Sequence, residues 1–163
     1  AHGDAEVTFA VFMRRRVVAA LEPVIRLVSH FVPEAKVKRF VAEGEVVPSE
    51  RKLLEITGSM KRLSEIETLL LQKTGFPCVA ANNAYEMCLA IPSAGFMDMH
   101  ARHASGADMN IIAAYGAMVG SEAAKLGNDA LRRLSKEVEH RPLVTLAVAV
   151  GVGILVGLVS HRR

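Results

Sequence analysis

A long C-terminal segment without charged side chains limits the possible folds of this chain most strongly. It covers residues 143–160, eighteen positions rich in Val, Leu and Gly. As an α-helix it would measure about 27 Å, close to the roughly 30 Å hydrocarbon core of a bilayer. A buried strand is the alternative for a Val-rich run, but such strands are about 4–8 residues long. We therefore predict a single C-terminal transmembrane helix, with the lipid bilayer as its partner.

The flanks and glycines of this segment indicate how it would sit and pack. Arg141 precedes it and residues 161–163 are His-Arg-Arg, so basic side chains can reach the headgroups at both ends. Gly153 and Gly157 have the spacing that lets two membrane helices approach closely, which predicts a protein partner or a homo-oligomer. Residues 1–6 lack the pattern of a signal peptide, so we expect the N-terminal part to stay in the cytoplasm.

Short motifs in the C-terminal part follow one another in a known order. A polar, charged stretch at residues 121–140 precedes Arg-Pro at 141–142, Gly-Val-Gly at 151–153, Gly-Leu at 157–158 and Arg-Arg at 162–163. This tail resembles the C-terminus of the ElaB/YqjD family of bacterial inner-membrane proteins. The resemblance implies a tail-anchored protein of the bacterial inner membrane. It also raises the ribosome as a partner, since some members associate with ribosomes.

Charge and cysteine content exclude some classes of protein. A formal net charge of +3 is too small to indicate a nucleic-acid partner. Cys78 and Cys88 are ten residues apart in a segment predicted to be helical, which places them about 15 Å apart. Because the Cα atoms of a disulfide lie within roughly 7 Å, we predict free thiols in a reducing compartment.

The remaining pattern predicts alternating strands and helices. Apolar spacing and turn residues divide the chain into short elements. Pro77 opens a new helix, and Gly116, Gly120 and Gly127 are weak helix formers in or beside the last one. The predicted elements are strands at 6–13, 37–41, 52–57 and 96–99, and helices at 17–31, 59–75, 77–90 and 109–126.

The densest group of polar residues lies between residues 98 and 108. On the predicted strand, Asp98, His100 and Arg102 share one face and His103 points to the other. Arg102 could bind a carboxylate or phosphate, helped by the free N–H groups of a helix that starts near Gly106. The histidines and aspartates have the types but not the spacing of metal ligands, so we expect no resident metal and no cofactor. The alternative is that these charged residues have no ligand and are solvated or paired with one another at the end of the strand.

A second resemblance covers residues 6–125. The residues that carry it are Val-Thr-Phe at 7–9, Val-Phe-Met-Arg-Arg at 11–15, 42–48, 53–58, 67–71, 80–84, and Ala-Arg-His at 101–103 with Gly106. In this order they resemble the front half of nicotinate phosphoribosyltransferase-like proteins. The resemblance implies an N-terminal α/β domain that leads into an irregular barrel. It also implies that Arg102 contacts anionic groups of the substrate, with His103 beside it.

This sequence departs from that family in two respects. The opening segment with its stacking aromatic residue and most of the barrel, including a Gly-Thr-x-x-His motif, are not found in it. We therefore expect an α+β chain with a partial phosphoribosyltransferase-like region at 1–120, a charged helix at 121–141 and the anchor at 142–163. Its expected role is a catalytically incomplete binding or scaffolding subunit in the membrane. The alternative is a nicotinate phosphoribosyltransferase chain whose active site a partner completes.

Overall fold

A computed structural model of the chain describes residues 4–99 and 106–140. Strands and helices alternate in the first part and two long helices follow, so the predicted α+β class is confirmed. The elements are β1 (Glu6–Phe12), β2 (Val17–Val18), α1 (Glu22–Phe31), β3 (Lys36–Arg39), β4 (Val46–Val47), β5 (Lys52–Ser59), α2 (Met60–Glu65), α3 (Glu67–Ala90) and α4 (Ala107–His140).

A three-stranded antiparallel sheet has the order β1-β5-β3. Its central strand β5 buries residues of both orientations, Leu53, Leu54 and Ile56, because it is covered on both faces. The edge strand β1 alternates between exposed and half-buried residues, as a strand with one solvated face does. A shorter sheet pairs β2 with β4. The predicted strands at 6–13 and 52–57 are confirmed within one or two residues.

The hydrophobic core joins β2, α1, β5 and α3. Helix α1 contributes Val24, Leu27 and Val28 from one face, and α3 contributes Leu70 and Cys78. Each fully buried aliphatic side chain of this kind stabilises the fold by about 1.5–3 kcal/mol. The core therefore fixes α3 on the sheet, and α3 carries one wall of the site described below.

The predicted helix at 17–31 is wrong in its first turn. Val17 and Val18 form β2 and pair with Val47 and Val46, while α1 begins only at Glu22. β-branched side chains suit a strand, and both valines are fully buried there. The apolar residues from Val17 to Val28 have helical spacing, but the first of them are buried in a strand and the later ones in a helix.

The prediction that Pro77 opens a new helix is also wrong. Helix α3 continues through Pro77, although proline has no N–H to donate to the carbonyl of Lys73. Pro77 belongs to the largest fully buried side chains, so packing outweighs the lost hydrogen bond. The helical start at Ser59 is confirmed, since the Ser59 hydroxyl accepts a hydrogen bond from the Arg62 N–H at 3.2 Å.

The segment before α4 differs from the prediction as well. Residues 96–99 form no strand and are exposed, because no strand of the described residues lies beside them. Helix α4 starts two residues earlier than predicted and passes Gly116, Gly120 and Gly127 without a break. The chain divides into two compact units between Lys125 and Leu126.

The predicted transmembrane helix lies outside the described residues, and so do Gly153 and Gly157. Across 4–99 and 106–140, no helix is both long enough and apolar enough to cross a bilayer. The anchor, its partners and the domain bounds at 120 and 141 therefore stay predictions.

Candidate functional site

Asp98 is the one predicted site residue that the structure describes. It lies exposed at the border of a groove of about 430 Å³ between α3 and α4. His100, Arg102 and His103 fall in residues 100–105, outside the described part of the chain. Whether these three side chains meet Asp98 is therefore still a prediction.

The Asp98 groove, as we call this cavity, is mainly apolar. Asn83 and Asp98 are the polar side chains along it. Its walls are formed by Phe76, Val79, Ala80, Asn83, Ala84 and Met87 of α3, Ala113 and Ala117 of α4, and Phe96, Asp98 and Met99. Apolar walls with a few polar groups are typical of pockets that take a small organic ligand and orient it by its polar end.

Two glycines of α4 allow the helices beside this groove to pack closely. A Cβ atom on Gly116 would lie 2.3 Å from the Pro77 carbonyl oxygen, and one on Gly120 would lie 1.9 Å from the Ala81 carbonyl oxygen. Glycines four residues apart lie on the same face of a helix. The backbones of α3 and α4 therefore touch along this face, and the distance between the groove walls is fixed by backbone contact.

The first turn of α4 lies just after the segment that carries Arg102. Gly106 has a φ of +104°, which favours glycine, and its carbonyl accepts a hydrogen bond from the Asn110 N–H at 3.2 Å. The predicted glycine turn followed by a helix is thus confirmed. The first N–H groups of a helix have no partner within it and attract anions. The anion-binding role of this segment stays a prediction, since Arg102 lies outside the described residues.

A polar junction that no sequence pattern indicates is formed by Glu43, Arg39, Tyr115 and the N-terminus of α1. The Glu43 carboxylate accepts hydrogen bonds from the Leu21 N–H at 2.8 Å, from Arg39 Nη2 at 2.7 Å and from the Tyr115 hydroxyl at 2.6 Å. It thereby supplies a side-chain cap for α1, whose own N-cap residue, Leu21, has none. Glu43 was interpreted as part of a turn, and no local pattern links it to a tyrosine 72 residues later.

This junction joins α4 to the first half of the domain. Burial raises the pKa of Tyr115 well above its usual value, and the hydrogen bond to the Glu43 carboxylate raises it further. The hydroxyl therefore stays protonated and remains a donor over the ordinary pH range. The junction orients α4, and with it the Asp98 groove, rather than carrying out chemistry itself.

The two cysteines are free, as predicted. Cys78 is fully buried against Ala20, whose N–H donates a hydrogen bond to the Cys78 Sγ at 3.4 Å. Burial raises the pKa of the Cys78 thiol to about 11, which makes it a poor nucleophile. In the described residues no three His, Cys, Asp or Glu side chains are grouped to hold a metal ion.

Comparison with known proteins shows what this fold is similar to. Residues 1–76 match the family model described as the quinolinate phosphoribosyl transferase N-terminal domain. The match covers less than half of the chain and shows that this N-terminal region is similar to such a domain. The part of the second resemblance that concerns phosphoribosyltransferases is thus supported. No curated protein matches the chain.

Two solved structures extend this likeness beyond residue 76. NadC from Streptococcus pyogenes has 19% sequence identity and a TM-score of 0.61, with 73% of this chain and 43% of that chain covered. The nicotinate-nucleotide pyrophosphorylase from Francisella tularensis has 12% identity and a TM-score of 0.63, with 72% and 43% covered. At such identities the matches show a shared fold. The chain thus spans less than half the length of these structures, and the resemblance of its tail to the ElaB/YqjD family gains no support from them.

Proposed function

We propose that residues 4–125 act as the N-terminal domain of a phosphoribosyltransferase of the quinolinate or nicotinate class. The observation that carries this proposal is the family match over residues 1–76, extended by structures that share the fold over nearly three quarters of the chain. The apolar Asp98 groove, bordered by a residue four positions before Arg102 in the sequence, is consistent with a site for a small aromatic acid.

In this proposal Arg102 binds a carboxylate or phosphate group of the substrate. A guanidinium offers a planar pair of N–H donors that matches either anion, whereas lysine offers only a point charge. Asp98, His100 and His103 would line the same site. Transfer of a phosphoribosyl group forms a bond from the pyridine nitrogen to C1 of the ribose and breaks the bond from C1 to pyrophosphate. Such a reaction depends on positioning and charge stabilisation around the whole pocket.

The rest of that pocket would come from outside the region matched here. This chain covers 43% of the two solved structures, and the remaining wall belongs to the part of those structures that the match leaves out. This is the alternative function predicted from the sequence, a phosphoribosyltransferase site completed by a partner. The membrane-scaffold role draws no support from the fold or from the comparisons.

Binding should be tested separately from turnover. We expect calorimetric titration of the full chain to show saturable binding of quinolinate or nicotinate in the presence of phosphoribosyl pyrophosphate. Arg102→Ala should weaken this binding at least tenfold and Arg102→Lys by less, because lysine keeps the charge. Arg133→Ala is the matched control, since Arg133 is an exposed arginine of α4 distant in sequence from the site.

Turnover is measured as release of pyrophosphate from phosphoribosyl pyrophosphate. We expect none from the purified chain and a signal when the chain is isolated in its native complex. Arg102→Ala should abolish that signal. A chain that binds neither acid, or whose binding does not respond to Arg102→Ala, would contradict the proposal.

We also propose that residues 143–160 anchor the chain in a bilayer. The support is their uncharged sequence between Arg141 and residues 161–163. The full chain should stay with vesicles washed in alkaline carbonate, and a chain shortened after Arg141 should be released. If both partition equally, the anchor is excluded while the transferase proposal is untouched.

A further inference from the structure

Another cleft, of about 390 Å³, is lined by residues of α1, of α3 and of the first turns of α4. Helix α1 buries Val24 and Val28 in the core, while Arg26 and His30 are exposed and share one side of the helix, four residues apart. Helix α3 contributes Lys73, and the start of α4 contributes two isoleucines. This α1 cleft, as we call it, has no lining residue in common with the Asp98 groove.

The apolar surface of the α1 cleft comes from α1 and α4. Leu27 and Ile112 are buried where they line it. Phe31 and Ile111 are 44% and 67% exposed, although both side chains are large and apolar. Single apolar residues on a surface need no explanation, whereas apolar residues grouped at a concave site mark a place where something binds. A ligand that covers Phe31 and Ile111 would remove this surface from water.

The charged residues of the α1 cleft are three bases and one acid. Arg26 Nε donates to the Glu22 carboxylate at 2.9 Å, so this acid is already paired, while the terminal nitrogens of Arg26 donate to no described residue. Lys73 is half-buried, and neither Lys73 nor His30 forms an ion pair with a described residue. Arg26 and Lys73 together therefore exceed Glu22 by one positive charge.

We propose that the α1 cleft binds a small organic acid with an apolar body. The carboxylate of this ligand accepts hydrogen bonds from Lys73 and from the terminal nitrogens of Arg26, and its apolar body covers Phe31 and Ile111. Hydrogen bonds between charged groups are about twice as strong as neutral ones. The volume of the cleft falls within the range of small-molecule sites, roughly 300–1,000 Å³, which combine apolar walls with a few orienting polar groups.

The unpaired charge argues for this class of ligand over the others that an apolar cleft could hold. A second copy of the chain, placed face to face, would bring Lys73 and Arg26 towards the same bases, and like charges oppose such a contact. An inorganic anion would leave Phe31 and Ile111 in water, and a neutral apolar molecule would leave Lys73 unpaired beside it. The Asp98 groove differs in charge, since its described lining includes an acid and no base.

A photoreactive acid shows where such a ligand binds. The probe is 4-benzoylbenzoate, an aromatic carboxylate, and uncharged benzophenone is its matched control. Under ultraviolet light we expect saturable labelling of the full chain, with the adduct placed by mass spectrometry in residues 22–31 or 107–115, which line the cleft. Benzophenone should label these residues about tenfold less, because it lacks the carboxylate. Inorganic phosphate at the same concentration should not displace the probe.

Lys73→Met tests the charge, since methionine keeps an unbranched apolar side chain at this half-buried position. The dissociation constant of the probe, measured from the concentration dependence of labelling, should rise by about tenfold. Lys36→Met is the matched control. It removes the same charge from the exposed β3 edge and should leave the dissociation constant unchanged.

Ile111→Glu tests the apolar side of the cleft. Because Ile111 is exposed, we expect the fold to persist, while the new carboxylate repels the probe and removes an apolar contact. Labelling within the cleft should therefore be lost. Leu126→Glu, at another exposed apolar position of α4, is the matched control and should label as the wild type does. Circular dichroism of each variant distinguishes lost binding from a lost fold.

This proposal stands apart from the transferase proposal. Arg102→Ala should leave labelling of the α1 cleft unchanged, so the failure of either proposal is seen without the other. Adducts outside the cleft, equal labelling by benzophenone, or equal effects of Lys73→Met and Lys36→Met would overturn it. An acidic protein segment found in the cleft of a native complex would overturn it as well.

Discussion

The contact of α4 with α3 at Gly120 gives the sharpest test of this structure. A Cβ atom at Gly120 would lie 1.9 Å from the carbonyl oxygen, 2.7 Å from the carbonyl carbon and 2.9 Å from the Cα of Ala81. These are backbone atoms, which cannot rotate away as a side-chain end can. To reach an ordinary separation of 3.4 Å, the helices would have to move apart by the difference, 3.4 − 1.9 = 1.5 Å.

Gly120→Ala should therefore destabilise the protein despite the better helix propensity of alanine. Overpacking typically costs about 1–3 kcal/mol, and a backbone shift of this size belongs at the upper end. The propensity gain is about 1 kcal/mol, which leaves a net loss of about 2 kcal/mol. Gly127→Ala is the matched control in the same helix, since nothing lies within 4 Å of its added Cβ, and it should gain up to about 1 kcal/mol.

Urea denaturation of the full chain, followed by circular dichroism, measures both changes. The two variants should differ by about 3 kcal/mol, or about 6–12 °C in Tm for a chain of this size. Ala81→Gly should not rescue Gly120→Ala, because the opposing atoms are those of the Ala81 backbone. Equal stabilities of the two alanine variants, or a rescue by Ala81→Gly, would refute the backbone contact.

Three further outcomes follow from the described contacts. Tyr115→Phe should lower the free energy of unfolding by about 1.5–3 kcal/mol at pH 7, since the hydroxyl donates to the charged Glu43. Because the pKa of Tyr115 is raised on folding, the difference in unfolding free energy between the wild type and Tyr115→Phe should hold below about pH 10 and shrink above it. Urea titrations of both proteins at pH 7 and 11 measure this change. With a chromogenic disulfide at pH 8, Cys88 should react in the native protein, and Cys78 should react only after denaturation. Rapid reaction of both thiols in the native protein would contradict the burial of Cys78. Gly44→Ala should cost about 1–2 kcal/mol in the same denaturation assay because φ is +79°, although the added Cβ would have room; an unchanged midpoint would contradict the strain.

The sequence predicted strands well where alternation and turn residues agreed. β1 and β5 show alternating or continuous apolar residues bounded by polar ones, so local pattern and burial indicate the same element. Val17 and Pro77 were assigned incorrectly because tertiary burial decided their state. A valine that fits a helical spacing becomes a strand when a partner strand is present, and a proline remains in a helix when its ring fills the core.

The polar junction could not be predicted, for a different physical reason. Glu43 and Tyr115 are far apart in the sequence, and their hydrogen bond exists only because α4 packs beside the loop before β4. Neither residue has a local motif, and an acid in a turn is normally solvated. The predicted site around Arg102 comes from a local cluster of charged residues together with a family resemblance, and of its residues the structure describes Asp98, at the border of an apolar groove.

Glycine spacing shows how the same pattern received two different interpretations. The sequence predicts helix packing for Gly153 and Gly157 from their four-residue spacing in an apolar segment, whereas Gly116 and Gly120, which have the same spacing, predict only a weaker helix. Gly116 and Gly120 lie on one face of α4, and the close approach this permits depends on the opposing backbone and not on the solvent. At Gly116 and Gly120 that backbone is α3 at Pro77 and Ala81, while Gly127 meets no atom within 4 Å. A glycine in a helix therefore indicates close packing when a second glycine follows four residues later and small residues face the pair. A single glycine with open space around it only weakens the helix.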